Sequence, residues 1–231
     1  MIELSLDTSA ATIISLLKDG TMVGHARNES TRHHAESITE LVREALDQAG
    51  LPVEAKDAGI ERVLVGTGPA PFTGLRAGLV SARVFALATG VPVYGASSLD
   101  VIARQALDLL PPDTHVYAVS DARRKELYWG HYVAEGADDV RLIGRLEVGT
   151  AQSLLNSMRE ADGLIISAGE LPAHSVDCLA LAGKGPIVDG DPAVLSRIVS
   201  ARLAKGEEDR LGTEPLYLRR PEIHGQPMER M

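Results

Sequence analysis

At 231 residues the chain can form one large domain or two small ones and bury a real core. Its 45% hydrophobic and 24% charged content reads as an ordinary soluble globular protein, and with aromatics at 3% the interior must be built from Ala, Val, Leu and Ile. A net charge of −9 argues against gripping nucleic acid alone, and the single cysteine excludes an internal disulfide framework or a multi-thiolate zinc site.

The first stretch, "MIELSLDTSAATIISLLKDG", carries Glu3 and Asp7 and lacks the basic start and unbroken apolar run of a signal peptide. No segment reaches the ~20 apolar residues of a membrane helix, so a cytoplasmic protein is expected. Ile2–Asp7 alternates apolar and polar residues as a strand does, and 12–20 and 21–30 continue as an antiparallel meander with "KDG" as turn. From 35 to 49 the pattern turns helical, with Ile38, Leu41, Val42, Ala45 and Leu46 on one stripe and Gly50 and Pro52 as stop. A buried strand at 62–68, a helix at 73–88 and a short strand within 90–97 complete a β-β-β-α-β-α-β order. The second half repeats that order loosely: strands at 116–120, 126–133 and 140–148, a helix near 151–159, a strand at 163–169 and a helix near 192–204. Lobes at 1–102 and 103–208 follow, with 209–231 as a tail over the surface.

The loops hold the candidate chemistry. Asp7, Thr8 and Ser9, just after the first strand, suit either a nucleotide's metal and phosphates or an ordinary turn bonded to its own backbone. In "GTGPAPFTGLRAGL" (66–79), Gly66 and Gly68 permit close approach or positive φ, Pro69 and Pro71 stiffen the chain, and Thr73 is placed to cap the next helix. The loop contains no lysine and matches neither common phosphate-binding pattern. Arg76 in the first helical turn opposes the helix dipole, which a partner carboxylate or ligand anion would offset.

His33 and His34 diverge by about 100° on a helix, so with Glu36 they do not make a metal site. The run "DARRKE" (121–126) is either a solvated hairpin tip or a reach for a partner's acid or a phosphate. Cys178 reads as a small core residue.

Several stretches together resemble the TsaB (YeaZ) family: "LSLDTSAATIISLLKDG", "HHAESITELV", the segment from Gly66 through Phe72, Thr73, Gly74, Leu75 and Arg76 into the following helix and strand, "SDARRKELYWGHY" and "EPLYLRRPEI". Ala70 and Pro71 depart from that family's loop, and His33–His34 stands where it usually has one histidine. The resemblance implies an α/β actin-like fold of two RNase H-like lobes, each a mixed sheet flanked by helices. It also implies a role in threonylcarbamoyl transfer to N6 of adenosine 37 in ANN-decoding transfer RNAs, as the non-catalytic, activating partner of TsaD.

Further expectations follow from it: assembly with the ATPase TsaE, contact with tRNA only through the complex, and homodimers when alone. No cofactor of its own is implied, with ATP or ADP at the partner interface. Beside this stand two alternatives, an independent ATP-binding enzyme of the actin-like kinase type and a peptidase. The interface candidates lie on the two N-lobe helices: His34, Glu36, Ile38, Leu41, Val42 and Ala45 on the first, and Ala77, Gly78, Val80, Ala82 and Arg83 on the second, whose apolar surround suggests burial on more than one side.

Overall fold

The computed structural model describes residues 1–29, 34–159 and 162–219, without the side chains of 34–36. The first lobe is built on β1 (Ile2–Asp7), β2 (Thr12–Lys18) and β3 (Thr21–Asn28), the expected antiparallel meander. Helix α1 (His34–Gln48), strand β4 (Arg62–Gly66), helix α2 (Phe72–Thr89) and strand β5 (Val93–Ala96) follow, and the sheet order is β3-β2-β1-β4-β5. β4 and β5 are parallel to β1, because each is reached through a helix that crosses one face.

In the second lobe, β6 (Val116–Asp121), β7 (Leu127–Glu135) and β8 (Asp139–Gly149) form another meander. Helix α4 (Ala151–Met158) then leads to β9 (Leu164–Ser167), parallel to β6, giving the order β8-β7-β6-β9. The two sheets repeat one plan, as the actin-like reading requires.

Helices tie the lobes together. α3 (Ser98–Leu107) leaves the first sheet and packs on the second, where Leu99, Ile102 and Ala106 join Val116, Ala118 and Ile166. The short α5 (Ala173–Val176) lies beyond β9, and α6 (Leu195–Ala204) returns to the first sheet, with Leu195 and Ile198 on Leu64 and Ala96. Between them sits a buried charge network. Arg202 of α6 donates to Asp100 of α3 at 2.8 Å and to Asp139 of β8 at 2.8 Å. Burial pushes the Asp100 carboxyl up, and Arg202 pulls it back down.

The polar face of β1 is also buried. Glu3 pairs with Arg62 and accepts from Ser196 of α6, so the alternation marks a polar seam between elements and not a wet surface.

Candidate functional site

The cleft between the lobes opens at the turn after β1. Asp7 is buried there; its Oδ1 accepts the Ser9 amide at 2.6 Å and its Oδ2 accepts the Ser98 hydroxyl at 2.6 Å. Burial raises the Asp7 pKa, against the pull of those hydrogen bonds. Gly66 is glycine because a Cβ would stand 1.8 Å from Asp7 Oδ2. Thr8 is equally committed: its hydroxyl donates to the Gly74 carbonyl at 2.8 Å, and a Cβ on Gly78 would lie 2.2 Å from that oxygen. Asp7 and Thr8 therefore fix the start of α2 and the neighbouring loop to β1, and Ser9 is left at the cleft wall.

The cleft encloses about 320 Å³. Asp7, Glu29, Asp121, Glu170 and Asp189 line it, against the single cation Arg27. Arg27 already pairs with Glu29 and donates to the Asp189 carbonyl. A wall of this sign repels phosphate unless a metal intervenes. Among the described residues no three His, Cys, Asp or Glu side chains converge as metal ligands.

The Gly68 peptide of the 66–76 loop is bonded inward. The Gly68 carbonyl accepts from the Ser98 amide and the Ser97 hydroxyl, both at 2.8 Å, and its amide donates to Ser98 Oγ. Gly68 has φ +86°, and the Gly68–Pro69 peptide is cis. Thr73 is not the cap: α2 starts at Phe72, with Pro71 at the N-cap position and no capping side chain.

Among the described residues Arg76 is met by two aromatic rings and no carboxylate. Its guanidinium sits 3.7 Å above the Phe72 ring and its Nε donates to the Tyr217 hydroxyl at 2.8 Å, while Phe72 and Tyr217 stack at 5.1 Å. Two turns on, Arg83 holds the Thr213 carbonyl and Glu214, each at 2.8 Å. The segment 213–219 is thus strapped along α2 and continues to the β6–β7 turn, where Arg219 pairs with Glu126 and donates to the Ala122 carbonyl. In that turn Arg123, Arg124 and Lys125 all have positive φ, of 61°, 56° and 64°, a strained run for side-chain-bearing residues. With Pro71, Phe72, Tyr128 and Tyr217 the turn borders a cavity of about 240 Å³.

The helix faces differ from the sequence reading. Ile38, Leu41, Val42 and Ala45 are core residues beneath α1, and Ala82 is core beneath α2. Gly78 is closed by Thr8, and Ala77 is half-buried. These side chains pack on their own sheet because α1 lies close on β3; a Cβ on Gly24 would stand 2.1 Å from the Ala45 carbonyl. His33, and the side chains of His34 and Glu36, lie outside the described residues. Outward from α2 point Val80, Val84 and Leu87, at 58%, 56% and 84% exposure, spaced as one face of a helix. The three form an i, i+4, i+7 series that starts at the interface candidate Val80. Cys178 is exposed and free, not core.

Comparison with known proteins settles the family. The family model described as TsaD, tRNA N6-adenosine threonylcarbamoyltransferase, matches residues 23–165. A tRNA threonylcarbamoyladenosine biosynthesis protein TsaB of Haemophilus influenzae is 34% identical over 224 residues, covering 94% of this chain and 92% of that one. The chain belongs to the TsaB family. An uncharacterized protein of Mycobacterium tuberculosis is 33% identical over 223 residues, spanning 95% of this chain and 92% of its own. The solved structure of YeaZ from Pseudomonas aeruginosa superposes with a TM-score of 0.71 at 26% identity, over 94% of this chain and 99% of that one.

Proposed function

We propose that this TsaB-family chain acts in tRNA threonylcarbamoyladenosine formation as a non-catalytic, activating subunit that pairs with a TsaD-type transferase. One contrast carries the reading: the interlobe cleft is acidic and its Asp7 and Thr8 are locked into the scaffold, whereas α2 presents an uncovered apolar stripe of Val80, Val84 and Leu87. A surface built for chemistry would show the reverse. The stripe is the docking face for TsaD and, when TsaD is absent, for a second copy. TsaE joins the assembled pair, tRNA is met through the complex, and ATP or ADP, where it takes part, is held with the partner. The setting is cytoplasmic; no helix among the described residues is long and apolar enough to cross a membrane.

The kinase-type alternative lacks support in a cleft with no free cation among its described lining residues. The peptidase alternative fares no better. Ser15, His25 and Asp191 do meet, but the Ser15 hydroxyl donates to Asp191 at 2.6 Å, and His25 turns the same Nδ1 to both neighbours. A nucleophile needs its imidazole between it and the acid.

The test is reconstitution of the chain with TsaD, TsaE and the adenylate-forming enzyme, reading modified tRNA by mass spectrometry. Product should drop sharply when the chain is omitted, and equal product without it refutes the proposal.

A further inference from the structure

A second feature lies beside the α2 stripe. Helices α1 and α2 sit side by side on one face of the first sheet, α1 over β2 and β3 and α2 over β1 and β4. Their inner residues share one core with Leu4, Leu6, Val63 and Val65. At about 100° per residue, the side of α1 opposite Ile38, Leu41, Val42 and Ala45 carries Glu40, Glu44 and Asp47, all exposed. These repeat the i, i+4, i+7 spacing of Val80, Val84 and Leu87, so an acidic ridge and an apolar stripe look out from the same layer.

The ridge stands against a local cost. Glu40 and Glu44 are like charges at i, i+4, and Asp47 sits in the last turn, at the negative end of the helix dipole, with no basic residue there. Among the described residues the three carboxylates meet no cation. Glu44 accepts from the Gln48 amide at 3.3 Å, and Arg43, the helix's one arginine, is drawn off to Glu54 at 3.2 Å. On the other flank of the stripe, Arg76 and Arg83 are taken up by the 213–219 strap. The charge left open beside the stripe is therefore negative.

Two copies meeting stripe to stripe are related by a two-fold axis, so both ridges come to one interface. Packed helices lie about 8–10 Å apart, comparable to the Debye length of about 8 Å at physiological ionic strength. The carboxylates of one copy therefore repel those of the other. A different chain with Lys or Arg beside its own apolar helix gains where a second copy loses. Taking the stripe as the docking face proposed above, we infer that the acidic ridge of α1 and the apolar stripe of α2 form one two-part docking face. Its fitting occupant is a partner helix whose apolar side is flanked by lysine or arginine, and the ridge ranks that partner above a second copy of this chain.

The test measures association of the full chain with purified TsaD at about 50 mM and about 500 mM sodium chloride, for the wild type, Leu87→Lys and the triple variant Glu40→Gln, Glu44→Gln, Asp47→Asn. Wild-type association should slow about tenfold as salt rises. The triple variant should start about tenfold slower at low salt and respond little to salt. In sedimentation at low salt it should also self-associate more tightly than the wild type. A triple variant that matches the wild type in rate and salt dependence, while Leu87→Lys weakens binding, would overturn the ridge's role and leave the docking face standing. Unchanged binding by Leu87→Lys would instead remove the docking face itself. Self-association equal to the wild type's would overturn the ranking against a second copy.

Discussion

The outward face of α2 offers the sharpest test of the proposed docking of a TsaD-type partner. Leu87 is 84% exposed and sits in the last turn of the helix, so Leu87→Lys removes little buried area and places a cation where the dipole favours one. Folding stability should therefore move by no more than about 0.5 kcal/mol. Binding should respond quite differently. Fully burying a leucine is worth about 1.5–3 kcal/mol, and each 1.4 kcal/mol is tenfold in affinity, so losing that burial alone weakens the complex roughly 10- to 150-fold. Val84→Lys, one turn earlier on the same face, should act in the same direction by a smaller amount. Calorimetric titration against purified TsaD measures the affinity, and a thermal melt of each variant checks the fold. Unchanged affinity in both variants, with intact melts, would mean that TsaD docks elsewhere and that the stripe is an ordinary exposed patch.

The remaining predictions concern the scaffold. Gly66→Ala places a methyl 1.8 Å from Asp7 Oδ2 and should cost about 1–3 kcal/mol or more, read as a lowered denaturation midpoint in urea. Arg202→Met leaves Asp100 buried without its cation and Asp139 with only Arg210 at 3.9 Å, and should cost about 3–5 kcal/mol by the same assay; a loss under 1 kcal/mol would show that the network is not a clamp. The raised Asp7 pKa means that the folded state holds its proton more tightly than the unfolded chain. Its contribution to stability is therefore largest at low pH and falls as pH rises from about 4 through the folded value. Asp7→Asn keeps an acceptor for the Ser9 amide, so it should flatten that part of the stability profile and leave reconstituted tRNA modification intact; lost modification in a folded variant would restore Asp7 as a ligand group.

Much of the backbone was legible because its signals are local. The meanders, α1 and α2 stand within a residue or two of where periodicity and glycine stops put them. Helix α3 escaped that reading, although Ser97 followed three residues later by Asp100 is a helix-start signature and Ser97 does cap the Leu99 amide. What sequence could not supply was the identity of facing surfaces. Alternation in "IELSLD" is the same whether Glu3 meets water or Arg62 and Ser196 of distant elements. A stripe such as Ile38, Leu41, Val42 and Ala45 is the same whether it covers its own sheet or a partner's helix, and here it covers its own. Arg76 in the first turn of α2 is met by Phe72 and by Tyr217, and Tyr217 lies 141 residues away.

These placements bear on the proposed role of an activating subunit. Two-lobed folds of this plan can work a cleft only if the lobes move and the cleft attracts its ligand. Here the lobes are tied by Arg202 between Asp100 and Asp139, and by the 213–219 strap running from Arg83 and Arg76 of α2 to the β6–β7 turn. The residues most like a nucleotide loop, Asp7 and Thr8, hold down Ser98 and the start of α2 instead. Each of those bonds rigidifies the platform from which Val80, Val84 and Leu87 project. A preorganised apolar face loses little entropy on docking, which favours binding through a rigid surface over working a closed cleft.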